Sequence, residues 1–97
     1  MIIYEIEILI NKDLEMKWLQ WMQSTHIKDV MNTNLFNTFR LLKQLNTNNT
    51  YIVQYETNSI HNYIQYEEFF AKSLKEDHMK KFKGMFQAKR RLFKKIN

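Results

Sequence analysis

Apolar and polar side chains alternate over the first ten residues of the chain. Every even position from Ile2 to Ile10 is apolar, and Glu5 and Glu7 interrupt the odd positions. A period of two places successive side chains on opposite faces of a β-strand. We therefore predict a strand over residues 2–10 with one strongly apolar face.

After Asp13 the period of two ends, and a new set of residues recurs at spacings of three and four, as in an amphipathic helix. The residues that follow this spacing are Leu14, Trp18, Trp21, Met22, Thr25 and His26. Asn11 or Asp13 can cap the start of the helix with its side-chain oxygen. We predict that the helix runs to about Met31 and that Asn34, which tolerates the left-handed conformation, closes it.

The middle of the chain predicts a β-hairpin. Residues 35–45 (LFNTFRLLKQL) form one candidate strand, and residues 50–57 (TYIVQYET) form another that is rich in β-branched and aromatic residues. The segment between them, residues 46–49, is a short polar turn without glycine or proline. Two such strands joined by a short turn are typical of a hairpin.

Helical spacing returns after Ser59, a residue suited to cap a helix. The positions that follow it are Ile60, Tyr63, Ile64, Glu67, Phe70 and Leu74. The charged residues 75–83 are predicted to continue as helix, and Gly84, the only glycine, stops it. Residues 85–96 have an ambiguous pattern: their place in the element order favours a final strand, and a helix is the alternative.

The predicted order β-α-β-β-α-β defines a ferredoxin-like α+β fold in one domain, residues 1–97. A four-stranded antiparallel sheet would carry both helices on one face and leave the other face bare. The strands contain more Tyr, Ile and Leu than one buried face needs, and a large exposed apolar face is typical of an interface. We therefore predict a homodimer in which two sheets pack face to face, with Tyr51 and Tyr55 among its contacts.

Several segments resemble an uncharacterised bacterial family of small proteins in the dimeric α+β barrel superfamily. They are MIIYEIEI, WLQWMQSTHIKDV, FRLL, YIVQY and HMKKFKG. The chain departs from the family pattern by carrying Lys28 where we expect proline and Asn34 where we expect glycine. The resemblance implies the ferredoxin-like fold and the dimer, and it implies no particular reaction.

Charge and composition narrow the classes of partner. The net charge is +5, and the residues after Met79 include eight bases and no acid. This basic end could bind an anionic partner such as RNA, but the aromatic, glycine-containing motif of RNA-binding sheets is absent from the third strand, so nucleic acid is the least favoured partner. There is no cysteine, and the first ten residues are too short to span a membrane and lack the features of a signal peptide. We expect a cytoplasmic protein without membrane association.

The predicted first helix carries the clearest candidate for a binding site. Trp18, Met22 and His26 lie on one face, with Trp21 beside them, and a ligand between this helix and the sheet would contact them. His26 could exchange a proton near neutral pH or ligate haem iron. It could equally be a structural residue that bonds to a backbone carbonyl, and the tryptophans could be core residues.

Arg40 is the remaining candidate. A charge in the middle of a strand requires a partner or solvent, so Arg40 either clamps a substrate carboxylate or pairs with Glu5, Glu7 or Glu56 on a neighbouring strand. His78 could form a metal-binding pair with His26, but it has no His or Glu at the spacing of a metal-binding helix, and we predict no metal site.

Three hypotheses follow from these residues. The first is a dimeric protein that binds a small molecule or a partner between the first helix and the sheet, through Trp18, Trp21, Met22, His26 and Arg40. The second is an enzyme of the same fold (a cofactor-light oxygenase, a haem-degrading enzyme or an isomerase) with His26 and Arg40 as catalytic candidates. The third is nucleic-acid binding through the basic end of the chain.

Overall fold

The computed structural model describes all 97 residues and has the predicted element order. The strands and α-helices are β1 (Ile2–Ile10), α1 (Glu15–Trp21), α2 (Ile27–Met31), β2 (Thr38–Lys43), β3 (Thr50–Thr57), α3 (Ile60–Phe69), α4 (Ala71–Lys81) and β4 (Phe86–Lys94). The strands form one antiparallel sheet in the order β2-β3-β1-β4. The prediction of a ferredoxin-like fold with a strand at the C-terminal end is confirmed.

Capping residues explain where the helices begin and end. Asn11 caps the short 3-10 turn Lys12–Leu14 that leads into α1, where it accepts a hydrogen bond from the backbone N–H of Asp13 at 2.9 Å. Ser59 caps α3 and accepts a hydrogen bond from the N–H of His61 at 3.1 Å. Asn34 has a φ of 63° after α2, and Gly84 has a φ of 73° after α4. These are left-handed conformations, which asparagine tolerates and glycine adopts without steric cost.

All the helices pack on one face of the sheet. The even-numbered residues of β1 and the odd-numbered residues of β3 point toward them. They join helix residues in a core of fourteen buried apolar side chains: Tyr4, Ile8, Ile10, Trp18, Met22, Ile27, Val30, Phe36, Tyr51, Val53, Tyr55, Tyr66, Ala71 and Phe82. Tyr51 and Tyr55 are therefore core residues, and the prediction that they contact a second copy is wrong. The period-two pattern identified their common face, and the pairing of β3 with β1 decides that this face is the covered one.

Two predicted boundaries differ from the structure. Strand β2 begins at Thr38 rather than at residue 35, because Phe36 turns into the core and packs against Tyr4 and Tyr55 at ring-centroid distances of 6.3 and 5.3 Å. The second predicted helix is interrupted at Phe70, where φ is −126° and ψ is −34°. This break divides the segment into α3 and α4.

We call the uncovered side of the sheet the open sheet face. It consists of Ile3, Glu5, Glu7, Leu9, Thr38, Arg40, Leu42, Ile52, Gln54, Glu56, Gln87, Lys89, Arg91 and Phe93. Leu9, Leu42 and Phe93 are 43, 42 and 42 % exposed. The central strands β1 and β3 carry no aromatic side chain on this face, so it lacks the stacking platform with which sheets of this class bind RNA.

The centre of the open sheet face is ionic. The Arg91 guanidinium bridges the carboxylates of Glu5 and Glu7, and the Gln54 amide donates a hydrogen bond to Glu5 at 2.8 Å. Arg40 lies opposite Gln54 and belongs to none of the ion pairs in the structure, so the predicted pairing of Arg40 with a glutamate is wrong. Arg91, from the neighbouring strand β4, occupies that role instead.

No helix in the structure combines the length and the apolar character needed to cross a membrane.

Candidate functional site

The helical segment after β1 contains a π-helical turn at Met22–His26, between α1 and α2. A π turn adds one residue to a helical turn and is frequent at functional sites. It begins and ends on residues that face the sheet, since Met22 is buried and the ring of His26 is half-buried. Trp21 stacks on His26 with ring centroids 4.9 Å apart.

His78, from the distant helix α4, completes a cluster of rings with these residues. The indole N–H of Trp18 donates a buried hydrogen bond of 2.9 Å to Nε2 of His78. Because Nε2 accepts this bond, the proton of the neutral His78 ring lies on Nδ1. Burial lowers the pKa of His78 to about 3, with further contributions from the neighbouring His26 and Arg90. His78 is thus neutral at physiological pH.

His26 lies beside His78, with ring centroids 5.4 Å apart. Burial lowers the pKa of His26, and the carboxylates of Asp29 and Asp77 partly offset that effect. Its Nδ1 atom is buried and has no hydrogen-bond partner. An unpaired buried polar atom costs about 1–3 kcal/mol, so a group that bonded to it would recover part of this energy.

A small cavity lies between the helices and the sheet and adjoins both histidines. Its volume is about 30 Å³, and its polar lining residues are Tyr4, His26, Tyr55, Tyr66, Lys75, His78 and Arg90. This volume accommodates a water molecule but is well below the roughly 300–1,000 Å³ of pockets for drug-sized ligands. Only a very small molecule fits without side-chain movement, and a haem does not fit.

The tyrosines on the wall of the cavity are held in their protonated form. Burial raises the pKa of Tyr4, Tyr55 and Tyr66. The neighbouring Arg90 partly opposes this effect at Tyr4. The cavity therefore presents neutral phenol and imidazole groups, which can exchange hydrogen bonds with a ligand but add no negative charge.

The structure brings together four of the five residues predicted for the site. Met22 and His26 line the cavity, whereas Trp18 and Trp21 pack against the two histidines. Arg40 is separated from the other four because its position on β2 places it on the open sheet face, across the sheet from the cavity.

Two residues of the site, His78 and Arg90, were not in the predicted binding set, although His78 was considered as a partner of His26. His78 continues the spacing of buried residues on α4, between Ala71 and Phe82, so helical periodicity could have revealed it. Arg90 lies on the same side of β4 as Ala88 and Phe86. The ambiguous pattern of residues 85–96 gave no comparable signal.

His26 and His78 are the residues that could hold a metal ion, and no third His, Cys, Asp or Glu side chain joins them. Since Nε2 of His78 is bonded to Trp18, the pair offers few free ring nitrogens. Proton exchange and hydrogen bonding are the chemistry that this arrangement supports.

Comparison with known proteins identifies the class to which this chain belongs. Residues 1–96 match the family described as domain of unknown function DUF4286. The chain is a member of that family, as the resemblance in its sequence implied. No curated protein sequence matches it.

Two solved structures share the fold over the whole chain. One is named "Putative antibiotic biosynthesis monooxygenase" and comes from Nitrosomonas europaea; its TM-score is 0.73 and its identity 8 %, with all of both chains covered. The other is a dimeric ferredoxin-like protein from an uncultured marine organism, with a TM-score of 0.78 and an identity of 16 %, covering 100 % of this chain and 96 % of the other. At these identities the similarity shows the fold alone, which is the ferredoxin-like α+β fold seen in this chain.

Proposed function

We propose that this protein binds a small molecule in the cavity between residues 15–31 and the sheet, and that the side chains around the cavity move apart to admit it. The observation that carries the proposal is the unpartnered, buried Nδ1 atom of His26 beside that cavity. Stability alone would favour a bonded or apolar side chain at this position. The π-helical turn that ends on His26 is a second irregularity at the same place.

The two tryptophans provide a built-in reporter for this proposal, since each packs against one of the histidines. Two pairs of probes separate ligand size from ligand charge: acetate with acetamide, and benzoate with benzamide. Binding would be followed by tryptophan fluorescence and by the NMR signals of the histidine rings. At least one probe should shift the signals of His26 and His78 in a saturable way.

Substitution of His26 tests whether binding depends on its ring. His26→Gln should weaken binding of the active probe by at least about fivefold, as expected for the loss of one hydrogen bond of about 1 kcal/mol. His61→Gln is the matched control, because His61 is exposed on α3. The proposal is refuted if no probe perturbs either histidine, or if His26→Gln and His61→Gln bind the active probe as the wild type does.

We further propose that the functional unit is a homodimer in which two open sheet faces pack together. The dimeric ferredoxin-like neighbour supports this arrangement. So do the exposed apolar residues Leu9, Leu42 and Phe93, which flank the ionic centre of the face. Sedimentation should give a dimer for the wild type and a monomer for Phe93→Glu. Met16→Glu, at an exposed position on α1, should remain dimeric, and a monomeric wild type would contradict the proposal.

An oxygenase is the second candidate function. The fold neighbour named as a monooxygenase favours it, together with the buried Nδ1 of His26, which has no hydrogen-bond partner and, in the tautomer with its hydrogen on Nε2, can take a proton from a bound substrate. Oxygen uptake with hydroquinone should exceed the protein-free rate and fall to that rate in His26→Gln. Equal uptake with and without the wild-type protein would eliminate this candidate.

The absence of cysteine suits a reducing bacterial cytoplasm, where we propose that the protein acts. Fractionation of cells that produce it should recover it with the cytoplasmic proteins, and recovery from the periplasm would contradict this location.

A further inference from the structure

The charged side chains that line the cavity are of one sign. Lys75 and Arg90 are its charged lining residues, and no aspartate or glutamate lines it. Its interior is formed by neutral rings and apolar side chains such as Met22 and Val30. A cavity with an apolar interior and a cationic rim is suited to a molecule with an apolar body and a negatively charged end.

Arg90 is better placed than Lys75 to contact the negatively charged end of a ligand. It lies opposite Ile6 on the side of β4 that faces the helices, and its guanidinium lies near the Tyr4 hydroxyl. Its neighbour Arg91 points to the opposite side and is occupied by Glu5 and Glu7. Arg90 has no carboxylate partner, so its guanidinium is available to a carboxylate in the two-pronged geometry that arginine favours.

The positive charge of Lys75 is partly neutralised by a nearby carboxylate. Its ammonium group lies 3.6 Å from the carboxylate of Glu67, and Glu67 also accepts a hydrogen bond of 3.1 Å from Tyr63. Glu67 does not line the cavity. Lys75 therefore adds to the positive potential at the rim, while Arg90 supplies the direct contact.

We propose that the natural ligand is a small organic carboxylate, with its charged end on Arg90 and its apolar part directed toward His26. This inference rests on the proposed small-molecule function of the same cavity. An anion placed deep among the neutral rings would lose its hydration without a countercharge, which is costly. At the rim the anion keeps both Arg90 and contact with solvent.

The matched probe pairs test the charge of the ligand separately from binding itself. Acetate and acetamide, like benzoate and benzamide, have nearly the same shape and differ in charge. Each carboxylate should bind at least about tenfold more tightly than its amide, as expected for a hydrogen-bonded charge pair. Titrations would follow the NMR signals of the His26 and His78 rings at a fixed, low ionic strength.

Arg90→Met should remove this preference and leave the affinity for the amides unchanged. Lys94→Met is the matched control, since it removes one positive charge from the same strand and the same side without lining the cavity. Arg90→Lys should retain part of the preference, because it keeps the charge and loses the two-pronged geometry. Arg90 is exposed, so these variants should keep the amide spectrum of the folded protein.

Three results would overturn the inference. Equal affinity for carboxylates and amides in the wild type would show that charge is not recognised, while leaving small-molecule binding intact. Equal losses in Arg90→Met and Lys94→Met would show a general effect of net charge rather than a contact. If no probe of either kind binds, the proposed function fails together with the inference.

Discussion

A fall in pH should destabilise this protein already at pH values above those at which most carboxylates titrate, because His78 is buried in its neutral form. Its ring accepts the hydrogen bond from Trp18 and faces His26 and Arg90, both of which oppose a positive charge there. In the unfolded chain an ordinary histidine has a pKa of about 6.5. In the folded protein the pKa of His78 is about 3.

The sign and the size of the effect follow from these two values. Between about pH 6.5 and pH 3 the unfolded chain binds a proton at His78 and the folded chain does not, so the free energy of unfolding falls as the pH falls. A pH of 5 is about 1.5 units below the pKa of a histidine in the unfolded chain, and each unit corresponds to about 1.4 kcal/mol. The contribution of His78 to the loss of stability between pH 7.5 and pH 5 is therefore about 2 kcal/mol. His26, whose pKa is also lowered by burial, should add to this loss.

Urea denaturation at pH 7.5 and pH 5, followed by circular dichroism, measures the effect. His78→Gln is the informative variant because glutamine can accept the Trp18 hydrogen bond but does not titrate. Its stability should fall by about 2 kcal/mol less than that of the wild type over this interval. If both proteins lose the same stability between the two pH values, His78 is not held neutral by the fold, and the electrostatic account of the histidine pair is wrong.

Two further substitutions test the packing that supports the site. Trp18→Phe removes a fully buried indole and leaves Nε2 of His78 without its donor, so it should lower the free energy of unfolding, measured by urea denaturation, by about 2–4 kcal/mol. Trp21→Phe, at a half-buried position, should lower it clearly less. Equal losses in the two variants would contradict the importance of the Trp18–His78 hydrogen bond. Gly84→Ala should cost about 1 kcal/mol in the same measurement, because φ is +73° although no atom lies within 4 Å of the new methyl group. Gly84→Asn should cost less than Gly84→Ala, and the reverse order would show that backbone conformation is not the cause.

The order and type of the elements could be predicted because each rests on local periodicity and local caps. The alternation of β1, the spacing that begins at Leu14 and the cap at Ser59 all describe contacts within one segment. The late start of β2 depends on Phe36 entering the core beside Tyr4. That contact joins residues far apart in the chain, and no local pattern records it.

The same distinction applies to the site. Met22 and His26 were predicted because they share a helix face, and a single helix can be drawn from the sequence. The helical spacing gives no sign of the π-helical turn that spans them, and the hydrogen bond of Trp18 to His78 requires α4 to be docked against the first helical segment. A sequence pattern predicts which face of its helix a residue lies on, but the residues that contact that face are known only from how the helices pack together.

The pairing of β4 with β1 decides how the basic end of the chain is used. Arg91 pairs in register with Glu5, and Arg90 pairs with Ile6, so two consecutive arginines are directed to opposite sides of the sheet. A slip of one residue would exchange them. Arg90 would then lie on the open sheet face near Glu5 and Glu7, and the cavity would lose the cation proposed to bind its ligand. The ion pairs of Arg91 on the open sheet face thus help to fix the register that places Arg90 beside Tyr4, and in the sequence these bases read as one continuous positive segment.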